Sequence, residues 1–161
     1  MGEMSGKTVL TQRSDLESAY RSDGRRLWRS LMAYCGDRDV ADEAVAEAYA
    51  QALRRGRELR HPARWVWKAA FRIAAGDLQR RRRSRPLQDR AVVHNPEPAW
   101  DLIDALGRLP ERQRACLILH YFAGFSSIEI ARLTDSTPPA VRMHLSRGRR
   151  RLGSILEGGA S

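Results

Sequence analysis

The chain has 161 residues, 42% of them apolar, with 29 Lys/Arg against 19 Asp/Glu and a net charge of +10. That length allows one ordinary domain or two small ones, and the basic balance favours a polyanionic partner. No apolar run approaches the ~20 residues of a membrane span, the start lacks the apolar block of a secretory signal, and two distant cysteines make no disulfide framework; a cytoplasmic chain with buried free thiols at Cys35 and Cys116 is expected.

Charge is unevenly placed along the chain. Residues 1–53 carry 7 Lys/Arg against 9 Asp/Glu, residues 54–90 carry 13 against 3, and residues 91–161 carry 9 against 7. An acidic segment followed by a basic block implies two surfaces with different partners. Sustained alternation is absent and Ala, Leu, Arg and Glu dominate, so the chain reads as all-α. Helices are expected over 14–34, 39–54, 62–82, 100–106, 110–122, 127–134 and 138–156.

In "YCGDRDVADEAVAEAYAQAL", Ala41, Ala44, Val45, Ala48 and Leu53 are expected inward, while Asp39, Asp42, Glu43 and Glu47 cluster toward the start of the helix. Acids there favour the helix dipole, which is one sufficient reason for them; four exceed what capping requires, which leaves a docking role open. The following helix, "HPARWVWKAAFRIAAGDLQRRRR", repeats Arg64, Lys68 and Arg72 every four residues beside a stripe of Trp67, Phe71, Ala74 and Leu78. Cations beside aromatic faces suit single-stranded DNA, because bases stack while phosphates pair. Aromatics at helical spacing also build cores; here Trp65 is assigned to the core, and Trp67 and Phe71 to nucleic-acid contact.

Residues 84–100 hold three prolines and no helical periodicity, and read as a flexible linker. The chain is therefore expected to form two small helical domains, 1–83 and 101–161. In the second, Ser126 and Glu129 have the spacing of a capping box, Asp135 sits at a turn, and Thr137 is placed to cap the last helix. Pro138 and Pro139 fall at its first two positions, where a helix has no use for the missing amide hydrogens. Val141, Leu145, Gly148 and Leu152 form its inward stripe, leaving an outward basic face. Two short helices joined by a tight turn, the second basic outside, have the arrangement of a helix-turn-helix whose second helix fits the major groove; an ordinary helical hairpin with a solvated basic face is the alternative.

The run "LPERQR…L.L.YF.G.S..EIA" followed by "T…V…L.R.RR.L", about residues 100–153, resembles region 4 of bacterial sigma factors, especially the extracytoplasmic-function group. The resemblance implies a −35 promoter contact through Pro139, Ala140, Arg142, Met143, Ser146, Arg147 and Arg149. "GDRDVADEAVAEAYAQAL" resembles region 2.2, implying that Asp39, Asp42, Glu43 and Glu47 dock on the β′ clamp helices of core RNA polymerase, with the β subunit also engaged. The helix from His61 matches regions 2.3–2.4 by position, implying −10 melting and single-strand capture by Arg60, His61, Arg64, Trp67, Lys68, Phe71 and Arg72. Members of this group are often held by an anti-sigma factor. Pro139, Met143 and Asp135 depart from the common pattern, so base preference does not carry over.

No phosphate loop, nucleophile elbow or metal-ligand set appears, so neither enzyme activity, a metal nor a cofactor is expected. Cys116 and His120 share a helix face, but a structural zinc needs four ligands. A stand-alone helix-turn-helix regulator is the rival reading; it leaves the acidic and aromatic helices without a task. A protein-interaction module antagonising polymerase leaves the basic recognition face unused.

Overall fold

The computed structural model describes residues 3–84 and 98–159, so most of the expected linker lies outside the described residues. Among them every regular element is helical: α1 (Glu3–Cys35), α2 (Arg38–Arg55), a 3-10 turn (Gly56–Glu58), α3 (Pro62–Ser84), α4 (Pro98–Gly107), α5 (Glu111–Leu117) continued by a π turn (Ile118–Phe122), α6 (Ser127–Leu133) and α7 (Pro138–Gly158). The chain is all-α, as expected. The helix expected over 110–122 changes character after Leu117, where the Ala123 amide reaches back five residues to the Ile118 carbonyl at 3.3 Å. His120 Nδ1 lies 3.0 Å from the Phe125 carbonyl, fixing the exit from that turn.

The described residues form two compact units. One comprises the chain up to Trp28 with α2 and α3; the other comprises Arg29–Asp37 with α4 to α7. In the first, Ala41, Ala44, Ala48 and Ala52 of α2 and Val66, Ala70 and Ala74 of α3 are wholly buried. Small side chains on both faces let the two helix axes approach closely. Leu27 of α1 is also wholly buried. Leu53, expected inward, is instead 48% exposed. The buried stripe runs 41, 44, 48, 52, and one residue further is a rotation of about 100° out of it.

In the second unit Leu31 to Cys35 are buried, and Gly36 ends α1 at φ 65° with its amide on the Met32 carbonyl at 2.8 Å. A left-handed glycine after the last helical residue is a common way to stop a helix. Leu106, Ile118, Leu119, Phe125, Ile130 and Val141 fill the core. Gly148 lies where α7 crosses α5: a Cβ there would stand 3.1 Å from Leu117 Cδ1. Arg114 is buried and donates to the carbonyls of Leu109 at 3.2 Å and Gly107 at 3.4 Å, with its guanidinium 5.8 Å from the Tyr34 ring centre. Cys35 and Cys116 are buried free thiols, and burial pushes Cys116 up to about 11. Tyr121, in the π turn, is exposed.

Candidate nucleic-acid interface

The helix-turn-helix forms as its sequence dictates. Ser126 Oγ accepts from the Glu129 amide at 3.2 Å while Glu129 Oε2 accepts from the Ser126 amide at 2.9 Å, closing the capping box on α6. Asp135 takes φ 52° in the turn, and Thr137 Oγ1 accepts from the Ala140 amide at 3.4 Å, with both prolines in the first turn of α7. Val141, Leu145 and Gly148 face the core, whereas Leu152 is half-buried. The opposite face presents Pro139, Arg142, Met143, Ser146, Arg147 and Arg150, all exposed; Ala140 is half-buried at its edge. Arg149 is exposed too, but its Nη1 donates to the Tyr121 hydroxyl at 3.0 Å, which ties it to the end of the π turn. Duplex DNA is met by helices of this kind through phosphate-neutralising cations and a groove-facing row of side chains.

On α3 the structure corrects the aromatic assignment. Trp67 is buried, its indole Nε1 donates to Asp23 Oδ2 at 2.6 Å, and Arg26 lies 5.4 Å from its ring centre. Phe71 is buried beside it, the two rings nearly parallel at 6.3 Å. Neither ring is open to a base, because both sit on the face of α3 that closes the core. Trp65 is the half-buried ring, with the Arg55 guanidinium 5.2 Å from its centre. It shares a helix face with His61, Lys68 and Arg72, at offsets of four, three and seven residues. Arg60, His61 and Arg72 are exposed, and Arg64 and Lys68 are half-buried along the same side. The cations expected at this site therefore lie along the side of α3 that carries Trp65, away from the buried Trp67.

On α2, Asp39, Asp42 and Glu43 are exposed. Asp42 Oδ1 accepts from the Trp28 indole at 2.6 Å. Glu47 accepts from Gln51 at 2.9 Å and from Arg54 at 3.0 Å, and these two hydrogen bonds hold its carboxyl below the usual value. Among the described residues no three His, Cys, Asp or Glu side chains gather as a metal site, and no helix is long and apolar enough to cross a membrane.

A family model for sigma-70 region 4 matches residues 99–152, the segment carrying α4 to α7 up to the end of the recognition face. The RNA polymerase sigma factor SigV of Bacillus subtilis (strain 168) is 26% identical over 150 residues, spanning 88% of this chain and 90% of that protein. The similarity therefore extends across both units. Residues 99–152 are thus a sigma-70 region 4 segment, and the chain over most of its length is similar to an RNA polymerase sigma factor. Two solved structures share its fold. The sigma factor RpoE, in complex with the anti-sigma factor NepR from Bartonella quintana, is 19% identical with TM-score 0.74, covering 89% of this chain and 97% of that one. CnrH, in complex with the cytosolic domain of CnrY, is 16% identical with TM-score 0.65, covering 95% and 94%.

Several residues that shape the candidate faces were not legible in the sequence. Asp23 anchors Trp67 from 44 positions away, Arg114 braces the turn before α5, and Tyr121 holds Arg149 across 28 positions. The Asp23–Trp67 and Tyr121–Arg149 partnerships are made between elements far apart in sequence, so no local spacing announces them.

Proposed function

We propose that the protein is an extracytoplasmic-function sigma factor that directs promoter-specific initiation of transcription and divides its work between the two segments that its sequence marks off, 1–83 and 101–161. The acidic face of α2, with Asp39, Asp42, Glu43 and Glu47, docks on the β′ clamp helices of core RNA polymerase, and the β subunit completes the complex. The basic side of α3, with Arg60, His61, Arg64, Lys68 and Arg72, receives the non-template strand of the −10 element, and Trp65 takes the stacking role first assigned to Trp67 and Phe71. The outward face of α7 reads the −35 element through Pro139, Ala140, Arg142, Met143, Ser146 and Arg147, with Arg149 toward the phosphates. It acts in the cytoplasm, carries no catalytic centre of its own, and is subject to an anti-sigma factor.

The observation that carries this reading is the outward face of α7: an exposed cationic row on a capped helix whose opposite face is buried, within the segment that matches region 4. A stand-alone regulator needs that face alone, whereas the similarity to SigV spans 88% of the chain. Transcription with purified core polymerase on promoter-bearing DNA tests the proposal. Initiation that depends on this protein, lost on Asp42→Lys/Glu43→Lys through core binding, is expected. Duplex binding without core association would return the chain to the regulator reading.

A further inference from the structure

Tyr121 is 55% exposed, although the chain on either side of it is anchored in the core: Ile118 and Leu119 are buried before it and Phe125 after it. The Ala123 amide closes the π turn on the Ile118 carbonyl at 3.3 Å, the chain leaves through Gly124 at φ 72°, and the Phe125 amide returns to the Leu119 carbonyl at 3.0 Å. A π turn inserts one residue into the helical register, and such turns recur at functional sites. His120 meets the Tyr121 ring edge-on at 4.8 Å and lies 3.0 Å from the Phe125 carbonyl. Buried neighbours thus hold an exposed phenol in one place.

Its partner there is Arg149. Arg149 Nη1 donates to the Tyr121 hydroxyl at 3.0 Å, so the hydroxyl accepts and keeps its own hydrogen to give. Among the described residues nothing takes that hydrogen, and no carboxylate pairs with Arg149. An O–H and a cationic N–H therefore stand side by side at the surface. One tetrahedral oxyanion can accept from both.

Position along α7 says which oxyanion. Arg149 lies two helical turns beyond Arg142 on the same side, about 10.5 Å further along the axis. The N-terminal part of a recognition helix meets base edges in a groove about 12 Å wide, while the helix before it crosses the backbone. Arg149 consequently stands toward the groove's edge, and Tyr121 reaches it from the turn that precedes α6.

We propose that Tyr121 is a DNA-contacting residue, its hydroxyl and Arg149 together clamping one phosphate of the −35 duplex. The clamp rests on the assignment of α7 to the −35 element and adds a contact from outside the two helices of the helix-turn-helix. It sets how α7 lies in the groove, because phosphate contacts fix register and orientation while carrying no sequence information. Tyr121 is uncharged, so its loss weakens binding evenly across sequences and leaves the salt slope intact, whereas loss of Arg149 lowers the slope by about one.

The test uses the full chain assembled with core RNA polymerase, and a duplex enriched on that complex from a random-sequence pool. Single phosphates of the duplex are replaced in turn by uncharged methylphosphonates. Tyr121→Phe removes only the hydroxyl and is expected to weaken binding about tenfold with thermal unfolding unchanged. Tyr121→Phe and Arg149→Ala are expected to lose sensitivity to one and the same phosphate, to which the unaltered protein is sensitive. A merely structural Tyr121 leaves the pattern of phosphate sensitivity as it was, and that outcome overturns the clamp. So does Tyr121→Phe binding as tightly as the parent while Arg149→Ala binds more weakly; in both cases the reading of α7 stands. If no duplex is enriched, or if Arg142→Ala and Arg149→Ala bind it as the parent does, the reading of α7 falls and the clamp with it. Should Tyr121→Phe unfold at lower temperature, Tyr121→Lys takes its place: a salt slope steeper by about one marks a phosphate within reach, and an unchanged slope overturns the clamp.

Discussion

The Trp67 indole donates to the Asp23 carboxylate at 2.6 Å, joining α3 to α1 inside the first unit. This hydrogen bond explains why the more promising of two neighbouring tryptophans is a structural residue. Asp23 also faces Arg26 at 3.8 Å, and Arg26 covers the Trp67 ring, so the three side chains form one assembly.

Trp67→Phe is expected to cost about 1–3 kcal/mol, since it leaves a partly buried carboxylate without its donor. Trp65→Ala, on the exposed side, is expected to change stability little and to impair opening of the −10 region. Urea unfolding and permanganate footprinting of promoter complexes separate the two. Equal loss of stability in both variants would contradict the inversion of their roles.

Arg142 projects from α7 with Val141 buried beside it. Arg142→Ala is expected to weaken binding to the −35 duplex by about 1–3 kcal/mol if it reads a base, with relaxed preference at one position. If it serves only a phosphate, the loss is uniform across sequences and the salt slope falls by about one. Binding titrations on single-base variants at several salt concentrations decide between them, and core association is expected to be unchanged.

Asp135 adopts φ 52°, the one non-glycine residue with positive φ among the described residues. Asp135→Ala is expected to destabilise the second unit by about 1 kcal/mol, because a Cβ without a locally bonding polar group pays the left-handed penalty in full. Asp135→Gly is expected to be neutral or mildly stabilising. Thermal unfolding of the three proteins checks the order.

His144 is held below its usual 6.5 by burial first, then by Arg112 and Arg147. Its folded value lies under its unfolded value, so between the two the unfolded chain binds more protons and stability rises with pH. Stability is therefore expected to fall as the pH drops below about 6.5 toward the lowered folded value. His144→Gln should flatten that part of the profile. Denaturant unfolding of both proteins across this window is the check, and identical slopes would remove His144 as the cause.

Much of the second unit was legible in sequence because its signals are local. Ser126 and Glu129 bond across three residues, Thr137 caps the helix that Pro138 and Pro139 begin, and Val141, Leu145 and Gly148 fall on one stripe. Backbone amides at helix starts need acceptors within a few residues, so the sequence itself must carry them. The basic side of α3 was legible for the same reason: Arg64, Lys68 and Arg72 share a face wherever the helix lies.

Which aromatic ring joins that face was a tertiary decision. Helical periodicity sorts Trp65 and Trp67 onto different sides of α3, but it does not say which side meets α1. Asp23 and Arg26 decide it, by offering Trp67 a hydrogen bond and a cation from another helix. Leu53 gave way to Ala52 where α2 packs, because small side chains suit a close crossing there. Sequence alone determined the helices, their caps and the charge of each face, all set by neighbours along the chain. Only the tertiary structure chose which faces are buried, because that depends on groups far apart in sequence meeting in space.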